Sequence, residues 1–170
     1  MLMTTIIGNP KARSKTRTIA EEAASQLHAI LEKQTSEEIV HEVIDLADYA
    51  VALATWDQSI ISTLLARIEA SSCLVIASPT YKATYTGLLK LFLDVLPMNA
   101  LAGKLAFPIM VGAGYQHQLA VELHLRPLLS ELGALCPARG LYVLDSQLDQ
   151  RQDVLSEWAT AQEAVMKALL

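Results

Sequence analysis

The chain has little with which to cross-link itself, grip nucleic acid or cross a bilayer. Its two cysteines, Cys73 and Cys136, lie far apart, with no other Cys or His at metal-ligand spacing. That fits a reducing compartment and excludes a disulfide framework. Both are expected as core or near-core residues without a reactive role. Basic residues are outnumbered, 13 Lys and Arg against 18 Asp and Glu, for a formal charge of −5. This balance argues against a general nucleic-acid partner. No apolar run approaches the ~18 residues of a membrane-spanning helix. The start Met1-Leu2-Met3-Thr4-Thr5-Ile6-Ile7 has no basic lead and is broken by threonines, so no signal peptide is expected and the expected location is the cytoplasm. Neither a Walker A loop nor a Gly-x-Gly-x-x-Gly turn is present, which removes support for ATP chemistry and for a dinucleotide Rossmann site. No Gly-x-Ser-x-Gly elbow or Ser-His-Asp arrangement points to a hydrolase. His117 and His124 stand two helical turns apart, but no carboxylate or cysteine completes a metal site, and none is expected.

What the sequence does have is regular alternation. Hydrophobic residues are 52% of the 170, enough for one domain over residues 1–170 with a generous core. Strand-like segments fall at Thr4–Ile7, Ile39–Ile44, Cys73–Ala77, Leu105–Val111 and Leu141–Leu144. Between them the apolar residues recur at helical spacing: Ile19, Ala20, Ala23, Ala24, Leu27, Ile30 and Leu31 within 16–33, then Ile60, Ile61, Leu64, Leu65 and Ile68. Further helices are expected from Gly87 to about Leu96, over 118–132, and along Val154, Leu155, Trp158, Val165 and Leu169. Five strands alternating with helices, without a linker or a repeat, predict an α/β fold: a doubly wound, five-stranded parallel sheet of flavodoxin-like order 2-1-3-4-5. Two prolines resist this pattern. Pro108 falls inside the fourth strand, where it cannot donate a ladder hydrogen bond. Pro127 should kink or split the helix over 118–132, with the proline in the first turn of its second half. Trp56 and Trp158 are expected as packing or interface anchors.

Three loops carry the chemistry. After the apolar run Cys73-Leu74-Val75-Ile76-Ala77 comes Ser78-Pro79-Thr80-Tyr81-Lys82, a polar loop that Pro79 stiffens at the carboxyl end of a buried strand. Ligands of open α/β sheets sit at such ends. The loop after the first strand, Gly8 to Thr18, interleaves Lys11, Arg13, Lys15 and Arg17 with Ser14, Thr16 and Thr18 on a chain that is acidic overall. At a helix N-terminus this reads as an anion site, with phosphate the expected guest. The alternative is a solvated basic loop with Ser14 or Thr16 as an ordinary cap. At the end of the fourth strand, Val111-Gly112-Ala113-Gly114-Tyr115-Gln116-His117 lets the backbone approach a flat ligand through its two glycines, or is simply a tight turn. In the order 2-1-3-4-5 all three loops converge on one edge of the sheet.

Ser78-Pro79-Thr80-Tyr81-Lys82 through Gly87-Leu88-Leu89-Lys90, Leu93-Asp94-Val95-Leu96-Pro97 and Ala100-Leu101-Ala102-Gly103-Lys104 resemble the NAD(P)H-dependent FMN reductases. The likeness is strongest to the branch that serves alkanesulfonate monooxygenases. Gly8-Asn9-Pro10 through Thr18 is similar to that family's phosphate loop, and Leu119 through Leu129 to its fourth helix, proline included. The resemblance covers about the first 150 residues of the chain. It implies hydride transfer from NADPH or NADH to FMN, with Ser14, Lys15 and Thr16 on the FMN phosphate. Pro79, Thr80, Tyr81 and Lys82 would lie along the ribityl chain and ring, and Gly112, Ala113 and Gly114 against the pyrimidine side. The flavin and nicotinamide carry that chemistry, so no catalytic side chain is assigned. It further implies a homo-oligomer, dimer or tetramer, formed through helices near 88–96 and 118–132, and delivery of reduced flavin to a partner monooxygenase. Many members of that branch carry a tyrosine in a π-bulge of the fourth helix. Here the stretch reads Glu122-Leu123-His124, which leaves open whether the bulge persists with His124 in that place and whether a histidine at the interface couples assembly to pH. Other readings of the same loops are an FMN-retaining quinone, azo-dye or chromate reductase, a flavodoxin-type electron carrier, and a flavin-free interaction domain. The 5% aromatic content speaks against the electron carrier.

Overall fold

The computed structural model of the protein describes residues 1–169, excepting the side chains of Gln147, Leu148, Ala168 and Leu169. The expected place of Leu169 on the last helix's apolar face lies outside the described residues. Five strands form one sheet: β1 (Leu2–Ile7), β2 (Val40–Asp45), β3 (Cys73–Pro79), β4 (Leu105–Gly112) and β5 (Leu141–Leu144). Their spatial order is β2-β1-β3-β4-β5, and every pairing is parallel. The helices are α1 (Lys15–Leu31), α2 (Ala50–Ala54), α3 (Gln58–Ala70), α4 (Gly87–Asp94), α5 (Arg126–Glu131) and α6 (Arg151–Leu169), with a π-helical turn at Val121–Leu125. The short α2 and the 3-10 turn Leu46–Tyr49 before it have too few residues to show a helical period, which is why the sequence pattern does not reveal them.

β3 is buried along its whole length, as the central strand of a doubly covered sheet must be. Side chains alternate across a strand, and the core divides accordingly. Cys73, Val75 and Ala77 face a cluster built on Ile19, Ala23 and Leu27 of α1 and Leu155, Trp158 and Met166 of α6. Leu74 and Ile76 face the opposite cluster, with Leu64 and Ile68 of α3, Phe92 of α4 and Leu129 of α5. The expected apolar face of α1 is buried in full. Trp158 is an anchor, its ring edge-on to Phe107 at 6.2 Å and 84° and its Nε1–H donating to Arg139 O at 2.9 Å. Arg151 and Glu22 close the outer side of the α1–α6 contact at 2.6 Å.

Both prolines find a physical account. Pro108 pairs opposite Ile76 without an interruption of register, so no bulge is needed. Leu105 N–H donates to Ser72 O and Val111 O accepts from Thr80 N–H, so these odd positions of β4 bond towards β3. By alternation Pro108 turns its imide nitrogen the other way, where β5 pairs only from Leu141, opposite Ile109. Pro127 sits in the first turn of α5, directly after the π-turn, where a missing N–H costs nothing.

Candidate functional site

The carboxyl ends of β1, β3 and β4 open into a cavity of about 440 Å³ lined by Asn9, Lys11, Arg13, Ser14, Lys15, Thr16, Pro79, Thr80, Tyr81, Val111, Gly112, Ala113 and Asp145. Three separate loops therefore meet at one place. Of the residues expected from sequence, Ser14, Lys15, Thr16, Pro79, Thr80, Tyr81, Gly112 and Ala113 are on its wall. Lys82, at the exposed tip of the second loop, and Gly114, further along the third, are not on it.

The first loop is organised by Asn9. Its Nδ2–H donates to Thr16 Oγ1 at 3.1 Å and its Oδ1 accepts from Lys11 N–H at 2.9 Å, which folds the basic segment over the end of β1. Ser14 is extended (φ −78°, ψ 164°) and caps α1 by accepting Arg17 N–H at 3.3 Å. The ordinary capping role is thus real. That bond uses the Ser14 oxygen as acceptor and leaves its O–H hydrogen to donate elsewhere, since a hydroxyl donates one bond and accepts two. The N–H groups of Lys15 and Thr16 lie in the first turn, where a helix offers no carbonyl. Arg17 points away from this turn, to Glu21 at 2.8 Å and to buried Asp45 at 3.4 Å.

The second loop is stiff for reasons beyond Pro79. Ser78, fully buried, donates to Pro79 O at 2.9 Å and accepts Thr86 N–H at 3.0 Å. Thr86 in turn caps α4 through Leu89 N–H and donates to Gly8 O, so the loop is tied to the end of β1. A side chain at Gly8 would place its Cβ 2.7 Å from Leu89 Cβ, and this close approach requires glycine. Tyr81 and Thr84 exchange both backbone hydrogen bonds around Lys82 and Ala83, at φ 52° and 67°. Two positive φ values mark a type I′ turn, which glycine and asparagine usually occupy. Arg13 also has positive φ, 51°. Backbone strain of this kind gathers at ligand clamps, and here it falls on two of the loops that border one cavity.

Thr80 Oγ1 is buried and has no hydrogen-bond partner among the described residues. Burial pushes the Tyr142 pKa up, and the neighbouring Thr80 side chain acts in the opposite direction. Tyr142 belongs to no motif, and its only sequence signal is a polar tip in the apolar run Leu141-Tyr142-Val143-Leu144. Asn9, Lys11, Arg13, Val111 and Asp145 line the cavity outside the expected set, and Tyr142 stands behind its wall. Asn9, Lys11 and Arg13 lie within the segment already singled out by its basic character.

A model of the family described as NADPH-dependent FMN reductase matches residues 1–149. Over 149 residues the chain is 32% identical to the FMN reductase (NADPH) of Escherichia coli K12, covering 87% of this chain and 75% of the relative. An NADH-dependent FMN reductase, SfnF of Pseudomonas fluorescens Pf0-1, is 32% identical across 52% of this chain and 47% of its own length. Among solved structures, the apo form of the NADH:FMN oxidoreductase EMOB superposes with a TM-score of 0.80 at 32% identity, covering 96% of this chain and 87% of that one.

Proposed function

The chain belongs to the NADPH-dependent FMN reductase family, an oxidoreductase family that uses FMN and NAD(P)H, and from that premise we propose that the cavity at the ends of β1, β3 and β4 is its FMN site. The observation that carries this is the meeting, in one cavity, of a basic helix N-terminus with the partnerless Thr80 hydroxyl. The residues present fit the group. A phosphomonoester suits the first turn of α1, with Ser14, Lys15 and Thr16 as ligands and Lys11 and Arg13 as neighbouring cations. Pro79, Thr80, Tyr81 and Lys82 border the ribityl chain and ring, Thr80 Oγ1 gaining there the partner it lacks. Gly112, Ala113 and Gly114 present backbone to the flat ring. When bound, FMN supplies the two-electron acceptor for the nicotinamide hydride. The protein's part is to hold the phosphate, fix the loop that borders the ring and exclude water; no side-chain acid or base is assigned.

We further propose that the protein is a homo-oligomer, a tetramer rather than a dimer, in the cytoplasm, and that reduced flavin passes to a partner monooxygenase. The leucines of the helical region 118–132 support self-association in part. Leu129 and Leu132 are core, but Leu119 and Leu123 are 51% and 64% exposed beside Tyr115 at 58%, a contiguous apolar strip on the π-turn and its approach. The support for a monooxygenase partner is the resemblance of the loop motifs to the branch that serves such enzymes; relatives named NADH-dependent FMN reductase SfnF and SfnE support the flavin-reducing step alone.

Stopped-flow reduction of FMN by NADPH and by NADH tests the site. Tyr81→Ala should slow flavin reduction at saturating nucleotide while the folded protein keeps its thermal midpoint, because Tyr81 is half exposed on the cavity rim. An unchanged reduction rate would place the reacting rings elsewhere.

A further inference from the structure

Tyr142 is the second residue of β5 and pairs opposite Met110. Alternation puts Met110, Gly112 and Tyr142 on the same face of the sheet. The Tyr142 hydroxyl crosses to the β4 loop and donates to Gly114 O at 2.9 Å. On the way it fills the space beneath Gly112. A Cβ built at residue 112 would stand 2.0 Å from the hydroxyl oxygen, 2.9 Å from the ring carbon that carries it and 3.1 Å from Thr80 Oγ1. Residue 112 is not among those with positive φ, so what demands glycine there is this phenol and not backbone conformation. Behind the phenol, the start of β5 is clamped. Glu122 of the π-turn accepts Gly140 N–H at 2.6 Å and, through its other oxygen, Arg126 at 3.1 Å. Arg126 also donates to the carbonyls of Cys136 and Ala138.

We propose that Tyr142 is a positioning residue for the flavin: its bond to Gly114 and its contact with Gly112 fix the backbone between them, and with it the cavity wall at Gly112 and Ala113. This rests on the cavity being the FMN site. The wall consists of backbone with nothing bulkier than Ala113. Its own turn holds it only through a long bond, His117 N–H to Gly114 O at 3.3 Å, and Leu144 pairs opposite Gly112; the side-chain hydrogen bond that Tyr142 makes to it is shorter. A phenol is protonated, and so a donor, at neutral pH, and burial pushes the Tyr142 pKa further up. It touches the wall and not the ligand, so removing it should act on flavin affinity without discriminating for the phosphate.

The test is Tyr142→Phe, which keeps the ring and removes the anchor. In the flavin-free protein, amide hydrogen exchange over 112–117 should speed up while β4 upstream of Gly112 stays protected. FMN and riboflavin affinities should fall together, by about 3- to 10-fold, the worth of one hydrogen bond. Gly112→Ala should weaken both flavins in the wild-type background by more than Tyr142→Phe does. In the double variant the loss should be well below the sum, because a ring released from Gly114 can tilt away from the new methyl. Unchanged flavin affinities, or additive losses, overturn the proposal whatever happens to thermal stability. The Ser14→Ala, Thr16→Ala pair separates the two failures. If that pair weakens FMN but Tyr142→Phe moves only the exchange rates, the cavity assignment stands and the positioning role falls. If neither variant touches FMN affinity, both fall.

Discussion

Two hydroxyls of the cavity are in opposite states. Ser14 Oγ already accepts a backbone N–H, whereas Thr80 Oγ1 is buried with no partner. A buried, unsatisfied hydroxyl costs about 1–3 kcal/mol, a cost a protein keeps where function needs it. Thr80→Val should therefore raise the unfolding free energy of the flavin-free protein by about 1 kcal/mol and at the same time weaken FMN binding. Denaturant unfolding and fluorescence titration check the two signs, and a variant that gains both stability and affinity would remove Thr80 from the site. Cys73 makes the converse case. It is fully buried in β3 and burial pushes its thiol up to about 12. Since the thiolate is the reactive form, the native protein should leave Cys73 unmodified by a thiol reagent at pH 8 and expose it only on unfolding, which mass spectrometry of the labelled peptide reads out. Ser14, Thr16, Pro79 and Tyr81 were legible from sequence because their signals are local: alternating cations and hydroxyls, a proline after a buried run. Tyr142 was not, because its meaning lies in a contact 28 residues away with Gly114.

At the scale of elements, the strands and long helices follow from apolar period, and the ends of elements from caps. Thr86 and Asp57 cap α4 and α3 through their side chains. Pro127 announced a divided helix, and the division takes the form of the π-turn Val121–Leu125, with His124 exposed on it. The turn could not be read from the residues alone, since an extra residue in a helical stretch leaves the apolar spacing nearly intact. Pro108, which cannot donate to the ladder, is accommodated because β5 pairs with β4 only from Ile109 onward. The π-turn also does a structural job that no motif records, which is the Glu122 clamp on Gly140. Glu122→Ala leaves that buried N–H unpaired and should cost about 1–3 kcal/mol in urea unfolding; a loss within 0.5 kcal/mol of zero, the range of an ordinary surface substitution, would show the clamp to be incidental.

At the scale of the whole molecule, a net charge of −5 coexists with Lys11, Arg13 and Lys15 gathered at one cavity. Such contrast concentrates an anionic ligand at the site and repels it elsewhere. The apolar strip Tyr115, Leu119 and Leu123 predicts self-association, and sedimentation at micromolar concentration should give a mass well above the 18.5 kDa of one chain. A single 18.5 kDa species, with and without FMN, would contradict it. Among the described residues no helix is long and apolar enough to cross a membrane. The central claim is narrower than assembly: the first turn of α1 receives the phosphate of FMN. Paired titrations of FMN and riboflavin against the wild-type protein and the Ser14→Ala, Thr16→Ala variant measure it directly. The account predicts that FMN binding weakens by roughly 1–3 kcal/mol in the variant, beyond any loss traceable to the α1 cap, while riboflavin, which lacks the phosphate, binds both proteins alike. Equal losses for the two flavins, or none for FMN, would contradict it.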